Sequence, residues 1–148
     1  MATNHKLSLS VQYADERLKD VLPRPLLRRW VQAALLAPAQ LTLRFVNAEE
    51  GRELNRDYRG KDYATNVLTF PYDNELVIAD IILCSDVLLA EAAEQDKTLE
   101  AHAAHLIVHG VLHAQGYEHE TDEEADEMEA LETEILARLG FDNPYAEK

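Results

Sequence analysis

The stretch HLIVHGVLHAQGYEH, residues 105–119, sets the tightest limit on how this chain can fold. His105, His109 and His113 recur every four residues, so a helix carries all three on one face. His105 and His113 are then about 12 Å apart along the axis. Two nitrogens on one zinc ion, each about 2.0–2.1 Å from it, lie no more than about 4 Å apart. His105 and His113 cannot share an ion; His109 with His113, one turn apart, can. Gly116 supplies a helix break, because glycine tolerates the left-handed backbone that ends a helix and reverses the chain. The reversal folds His119 back toward the His109/His113 edge, and a fourth position stays open for water.

Three neutral imidazoles suit zinc, one ion per chain. A stabilising clip is the main competing reading, but it normally takes four protein ligands, and Cys84 is the only thiol. His105 is a candidate partner behind the site, or a polar residue packed on the last helix; neither it nor His102 is assigned to the site. The spacing is that of a zinc metalloprotease, in which a glutamate after the first histidine takes the proton of the metal-bound water. Gly110 stands in that position and cannot do so. The Cys-x-x-Cys of a zinc deaminase is absent as well.

The rest of the chain reads as strands first and helices around and after them. LSLSVQY (7–13) and QLTLRFVN (40–47) alternate apolar and polar residues as strands do. VLTFPY (67–72) and LVIADIILC (76–84) flank the turn-rich DNE and suggest a hairpin. Helices are expected over 23–36, with Pro25 in the first turn, and over 48–60, with Gly60 just past the end. Ser85 and Thr98 are candidate caps of two more, and TDEE (121–124) is a capping-box sequence opening the last. Met128, Leu131, Ile135 and Leu139 form that helix's inward stripe. The expectation is one α+β domain over residues 1–148, a small mixed sheet of about four strands packed with about five helices.

The longest apolar run has nine residues and contains Asp80, far short of a membrane span. The polar start MATNHKLSLS shows no secretory leader, and a single cysteine among apolar neighbours reads as a buried, inert thiol in a reducing cytoplasm. A net charge of −14 argues against a nucleic-acid partner until its distribution is considered. Residues 1–61 hold 11 Lys and Arg against 7 Asp and Glu; residues 62–148 hold 3 against 21. Arg52, Arg56, Arg59 and Lys61 fall within ten residues, and salt screening over about 10 Å lets such a patch grip phosphates on an acidic protein. For Arg52 and Arg56 a solvated helix face paired with Glu53 and Asp57 serves equally well. For Arg59 the alternative is an ion pair with Asp57 or Asp62. Cleavage of an RNA phosphodiester needs positioning, a Lewis acid and positive charge on the developing anion, which zinc and a nearby arginine supply.

YRGKDYATNVLTFPY taken with HLIVHGVLHAQGYEHETDEEADEMEALE resembles the YbeY family of bacterial rRNA maturation factors. The likeness covers most of the chain after about residue 40. Every fixed position of the family's H-G-x-L-H-x-x-G-Y-[DE]-H motif is filled from His109 to His119. The resemblance implies a cytoplasmic, zinc-dependent, single-strand-specific endoribonuclease. Its implied roles are maturation of the 3′ end of 16S rRNA and ribosome quality control, with the small ribosomal subunit and its assembly factors as partners. It implies His109, His113 and His119 as zinc ligands and Arg59 as the catalytic arginine facing them; Lys61 and Arg56 would hold flanking phosphates. Two departures stand out: Ala79 replaces a glycine before Asp80, and Glu118 replaces an aspartate before the last histidine. Asp80, set among apolar residues, requires a partner; a zinc histidine, an arginine or a plain salt bridge would each serve. Two other functions stay open, a small zinc metallopeptidase taking its base from Glu118 and a ribosome-assembly binding factor with a structural zinc.

Overall fold

The computed structural model describes residues 5–73 and 75–145. Residues 1–4 of the polar start, and Asn74 in the DNE turn, lie outside the described residues. Among the described residues nine elements follow one another: β1 (Leu7–Tyr13), α1 (Arg24–Ala34), β2 (Ala39–Val46), α2 (Ala48–Arg59), β3 (Val67–Pro71), β4 (Val77–Cys84), α3 (Ser85–Glu94), α4 (Leu99–Ala114) and α5 (Asp122–Arg138). The four strands form one mixed sheet in the order β1-β2-β4-β3. β1, β2 and β4 run parallel, and β3 pairs antiparallel with β4 at the edge, Val67 opposite Leu83 and Pro71 opposite Ala79. The chain is the expected α+β domain, and the hairpin between the third and fourth strands is present.

Alternation along the strands sorts the two sheet faces. Leu41, Leu43 and Phe45 of β2 and Ala79, Ile81 and Leu83 of β4 join one large core with residues of α1, α4 and α5. Val46, Leu68, Ile82 and Cys84 point the other way and pack with Leu54 of α2. Cys84 is buried, and that burial pushes its thiol above the ordinary value, as befits an inert residue. Helix α4 is the centre of the molecule. Nine of its sixteen residues are buried, from His102 to Leu112, and it packs against α1, α3, α5, β3 and β4. A helix apolar nearly all round is stable only when neighbours cover it on most sides.

The caps explain most of the boundaries. Asn47 accepts the Glu50 N–H at the start of α2, Thr98 accepts the Ala101 N–H at the start of α4, and Thr121 with Glu124 forms the capping box of α5. Ser85 differs from expectation. It is the first residue of α3, not its cap, and its buried hydroxyl has no hydrogen-bond partner among the described residues. The helix leaves β4 directly, so position 85 already has helical geometry and its side chain turns inward.

Candidate functional site

The end of α4 shapes the site. The Gly116 N–H donates to the His113 carbonyl at 3.0 Å, and the Tyr117 N–H reaches back to the Leu112 carbonyl at 3.1 Å. Gly116 has φ +100°, the left-handed turn that this pair of bonds requires. The chain therefore doubles back, and His119 comes to rest beside His109 and His113. One ring nitrogen from each of the three lies within 4.8 Å of the other two. Ring centroids are 4.5 Å apart for His109 and His113, 4.9 Å for His113 and His119, and 5.4 Å for His109 and His119.

These three residues could hold a metal ion. Their donor set is all imidazole, a set that suits zinc. Burial, helped by the neighbouring His109, holds the His113 imidazole below its ordinary value, which favours the neutral, ligating form.

The sequence reading missed Glu132, a residue that orients one of them. This α5 carboxylate is fully buried and accepts from His109 Nδ1 at 2.9 Å, so the Nε2 edge of that ring is the one turned to the cluster. His105 Nε2 lies 3.2 Å from the same oxygen, and the Tyr145 hydroxyl donates to both carboxylate oxygens at 3.0 and 2.8 Å. Burial alone would raise the Glu132 carboxyl, but bonds from His105 and His109 outweigh it and bring the group down to about 2. Burial and the adjacent carboxylate push the Tyr145 phenol well above its ordinary value, so it remains a donor. One signal for Glu132 existed in the sequence: it sits midway along the inward stripe, four residues after Met128 and three before Ile135.

The histidine cluster opens into a cleft of about 590 Å3, lined by Tyr58, Arg59, residues 65–71, Glu118 and Glu120 along with the three histidines. Arg59 is the last residue of α2. Gly60, in the left-handed conformation at φ +69°, ends that helix, and buried Asn55 fixes the following loop by donating to the Tyr63 carbonyl at 2.7 Å. The two acids that could have claimed Arg59 are taken. Asp62 pairs with Arg52 at 2.7 Å and Asp57 with Arg56 at 3.5 Å. Arg59 has no ion-pair partner among the described residues. Arg56 and Lys61 are exposed and do not line the cleft.

Asp80 is not brought to the cluster. Its carboxylate accepts from the Tyr72 hydroxyl across the β3–β4 hairpin, so the partner is neither a histidine nor an arginine. The reason is strand alternation: Ile81 faces α4, and its neighbour Asp80 must face away. Glu118 has a half-exposed side chain, 3.8 Å from His113 Nδ1.

Gly110 has a structural explanation. A Cβ built on it would sit 2.9 Å from Ile81 Cγ2 and 3.5 Å from Thr69 Oγ1. The bare backbone lets α4 settle against β4 and β3, which brings His109 and His113 to the foot of the edge strand.

An α+β domain thus brings three imidazoles that could hold a metal ion into one open cleft with an arginine that has no ion-pair partner among the described residues. Residues 3–140 match the family model described as Endoribonuclease YbeY. The chain is 72% identical to the protein named Endoribonuclease YbeY from Janthinobacterium sp. (strain Marseille), covering 98% of both chains. It is 70% identical to the protein of the same name from Herminiimonas arsenicoxydans, covering 97% of both. A solution structure from Thermotoga maritima shares the fold with a TM-score of 0.57 at 24% identity, over 95% of this chain and 99% of that one. The chain belongs to the YbeY family.

Proposed function

We propose that the chain is a zinc-dependent endoribonuclease that cuts single-stranded RNA, a single catalytic domain over residues 1–148. The observation that carries this reading is the convergence of His109, His113 and His119 beside an unpaired Arg59 in one open cleft. The names of its relatives supply the reaction class. A zinc ion held by the three histidines would supply a Lewis acid for a phosphoryl oxygen. Glu132 fixes the His109 ring through Nδ1 and leaves Nε2 as the nitrogen that would hold such an ion. Arg59 donates to the non-bridging phosphate oxygens, and its fixed charge matches the anion that grows in the transition state. Lys61 and Arg56 hold flanking phosphates outside the cleft. Gly110 leaves no carboxylate next to His109 of the kind a peptidase uses.

The biological setting we infer is maturation of the 3′ end of 16S rRNA and ribosome quality control in the cytoplasm, with the small ribosomal subunit and its assembly factors as partners. No helix among the described residues is long and apolar enough to cross a membrane. The test combines metal analysis of the purified protein with cleavage of single- and double-stranded RNA by wild type, His113→Ala and Arg59→Glu. Both variants should lose cleavage, His113→Ala with its metal and Arg59→Glu without losing it. Full activity in Arg59→Glu would remove the arginine from the reaction. Hydrolysis of a peptide library with RNA left intact would replace the nuclease with a Glu118-assisted peptidase. Ligand variants that fail to fold at all, rather than lose only the stabilisation any bound ion gives, would make the zinc structural and the protein a binding factor.

A further inference from the structure

Arg59 is preceded by Tyr58, whose role the phosphate chemistry leaves open. Tyr58 is 68% exposed, yet it lines the cleft with Arg59 and the histidines. Its ring does not hang loose in solvent. It leans on Phe70 of β3 with centroids 4.8 Å apart and planes at 56°, and Phe70 itself packs against the smaller core cluster. One edge of the tyrosine is thus held by the protein while the rest of its surface faces the cleft. An aromatic fixed in this way loses little conformational freedom on binding, because little remains to be lost.

A cation and an anchored aromatic on consecutive residues match the two halves of a nucleotide. Single-strand binding sites grip the backbone by charge and stack bases on aromatic rings, and a ring accepts any base because every base has a π-face. We propose that Tyr58, backed by Phe70, is a stacking platform for one unpaired base, next to the phosphate held by Arg59. This rests on the endoribonuclease reading and deepens it, giving a physical source for single-strand preference: a base inside a duplex is already stacked and its faces are closed. The occupant is a nucleobase of the bound strand. A peptide or an acidic small molecule could use Arg59, but a nucleic-acid strand sets a planar base beside every phosphate, the pairing that Tyr58 and Arg59 match.

The experiment measures binding of a short single-stranded RNA made with 2′-O-methyl phosphorothioate linkages and shown by gel to stay uncut, by fluorescence anisotropy at fixed salt. A companion strand carries an abasic site in place of each base in turn. Tyr58→Ala should weaken binding of the intact strand by about 5- to 150-fold, the loss of one base–aromatic stack. Tyr58→Phe, which keeps the ring, should bind as wild type does. With the abasic site at the stacked position, wild type and Tyr58→Ala should bind equally, which a merely structural role for the tyrosine would not produce. Equal binding of the intact strand by wild type and Tyr58→Ala, with wild type still cutting RNA, would overturn the platform and leave the nuclease reading standing. Wild type that neither binds nor cuts RNA would overturn both. A loss in Tyr58→Ala that persists unchanged at every abasic position would also overturn it.

Discussion

Gly110→Ala tests the packing that places the histidines. The added methyl gains about 1 kcal/mol of helix propensity in the middle of α4. Against this stands an approach of 2.9 Å to Ile81 Cγ2. That methyl cannot swing aside, because it sits on the branched Cβ of a fully buried residue with one stiff torsion. Overpacking of this kind costs about 1–3 kcal/mol, and the rigidity of Ile81 argues for the upper half of that range. The net expectation is a destabilisation of about 1–2 kcal/mol in urea unfolding of metal-free protein. In a chain of this size each kcal/mol lowers the melting temperature by about 2–4 °C. The control is the same change in an Ile81→Ala background, which costs about 2–5 kcal/mol by itself but removes the obstructing methyl. There Gly110→Ala should turn stabilising by up to about 1 kcal/mol, a reversal of sign that only direct contact between the two positions explains. Gly110→Glu, the residue of a metalloprotease, should fail to fold and should not yield a peptidase. A wild-type background in which Gly110→Ala raises stability by the full propensity gain would refute the close approach of α4 to the sheet.

Glu132→Ala should destabilise metal-free protein by about 3 kcal/mol, since it strands His105, His109 and Tyr145 without their common acceptor. Zinc affinity, read by competition with a chromophoric chelator, should fall by about 10- to 100-fold in Glu132→Gln, where the orienting bond is weakened. Zinc at 100 times its dissociation constant should stabilise wild type by about 2.7 kcal/mol, and the same zinc should leave His113→Ala unchanged in a thermal melt. His102 is buried and held below its ordinary value of 6.5 by that burial, which its bond to Glu91 only partly offsets. A depressed histidine contributes stability that is complete above 6.5 and lost as pH falls through the folded-state value. Urea midpoints measured from pH 7.5 to 5 should therefore fall less steeply in His102→Phe than in wild type.

Local patterns in the sequence carried the elements and most of their ends. Alternation marked β1 and β2, the DNE turn between two runs marked the β3–β4 hairpin, and Thr98, Thr121, Gly60 and Gly116 marked helix boundaries because capping chemistry is decided within a few residues. The order β1-β2-β4-β3 was not legible, since no local period states which strand lies beside which. Ser85 was misread because a helix starting straight from a strand leaves no room for a separate cap residue. Glu132 was missed for another reason: α5 carries eight acidic residues, and one facing inward looks like the seven that do not. Its place in the inward stripe hints at burial, but only the histidines of the other helix show what it does there. His105, His109 and His113 share a face, and the two intervals between them do different work. The first interval spans the buried carboxylate, which both of its histidines touch; the second spans the point where an ion can sit, completed by His119. His109 belongs to both intervals, one ring nitrogen to each. If the cluster holds an ion as proposed, a substitution at His109 removes a ligand and a partner of the buried carboxylate together, whereas one at His113 or His119 removes a ligand alone.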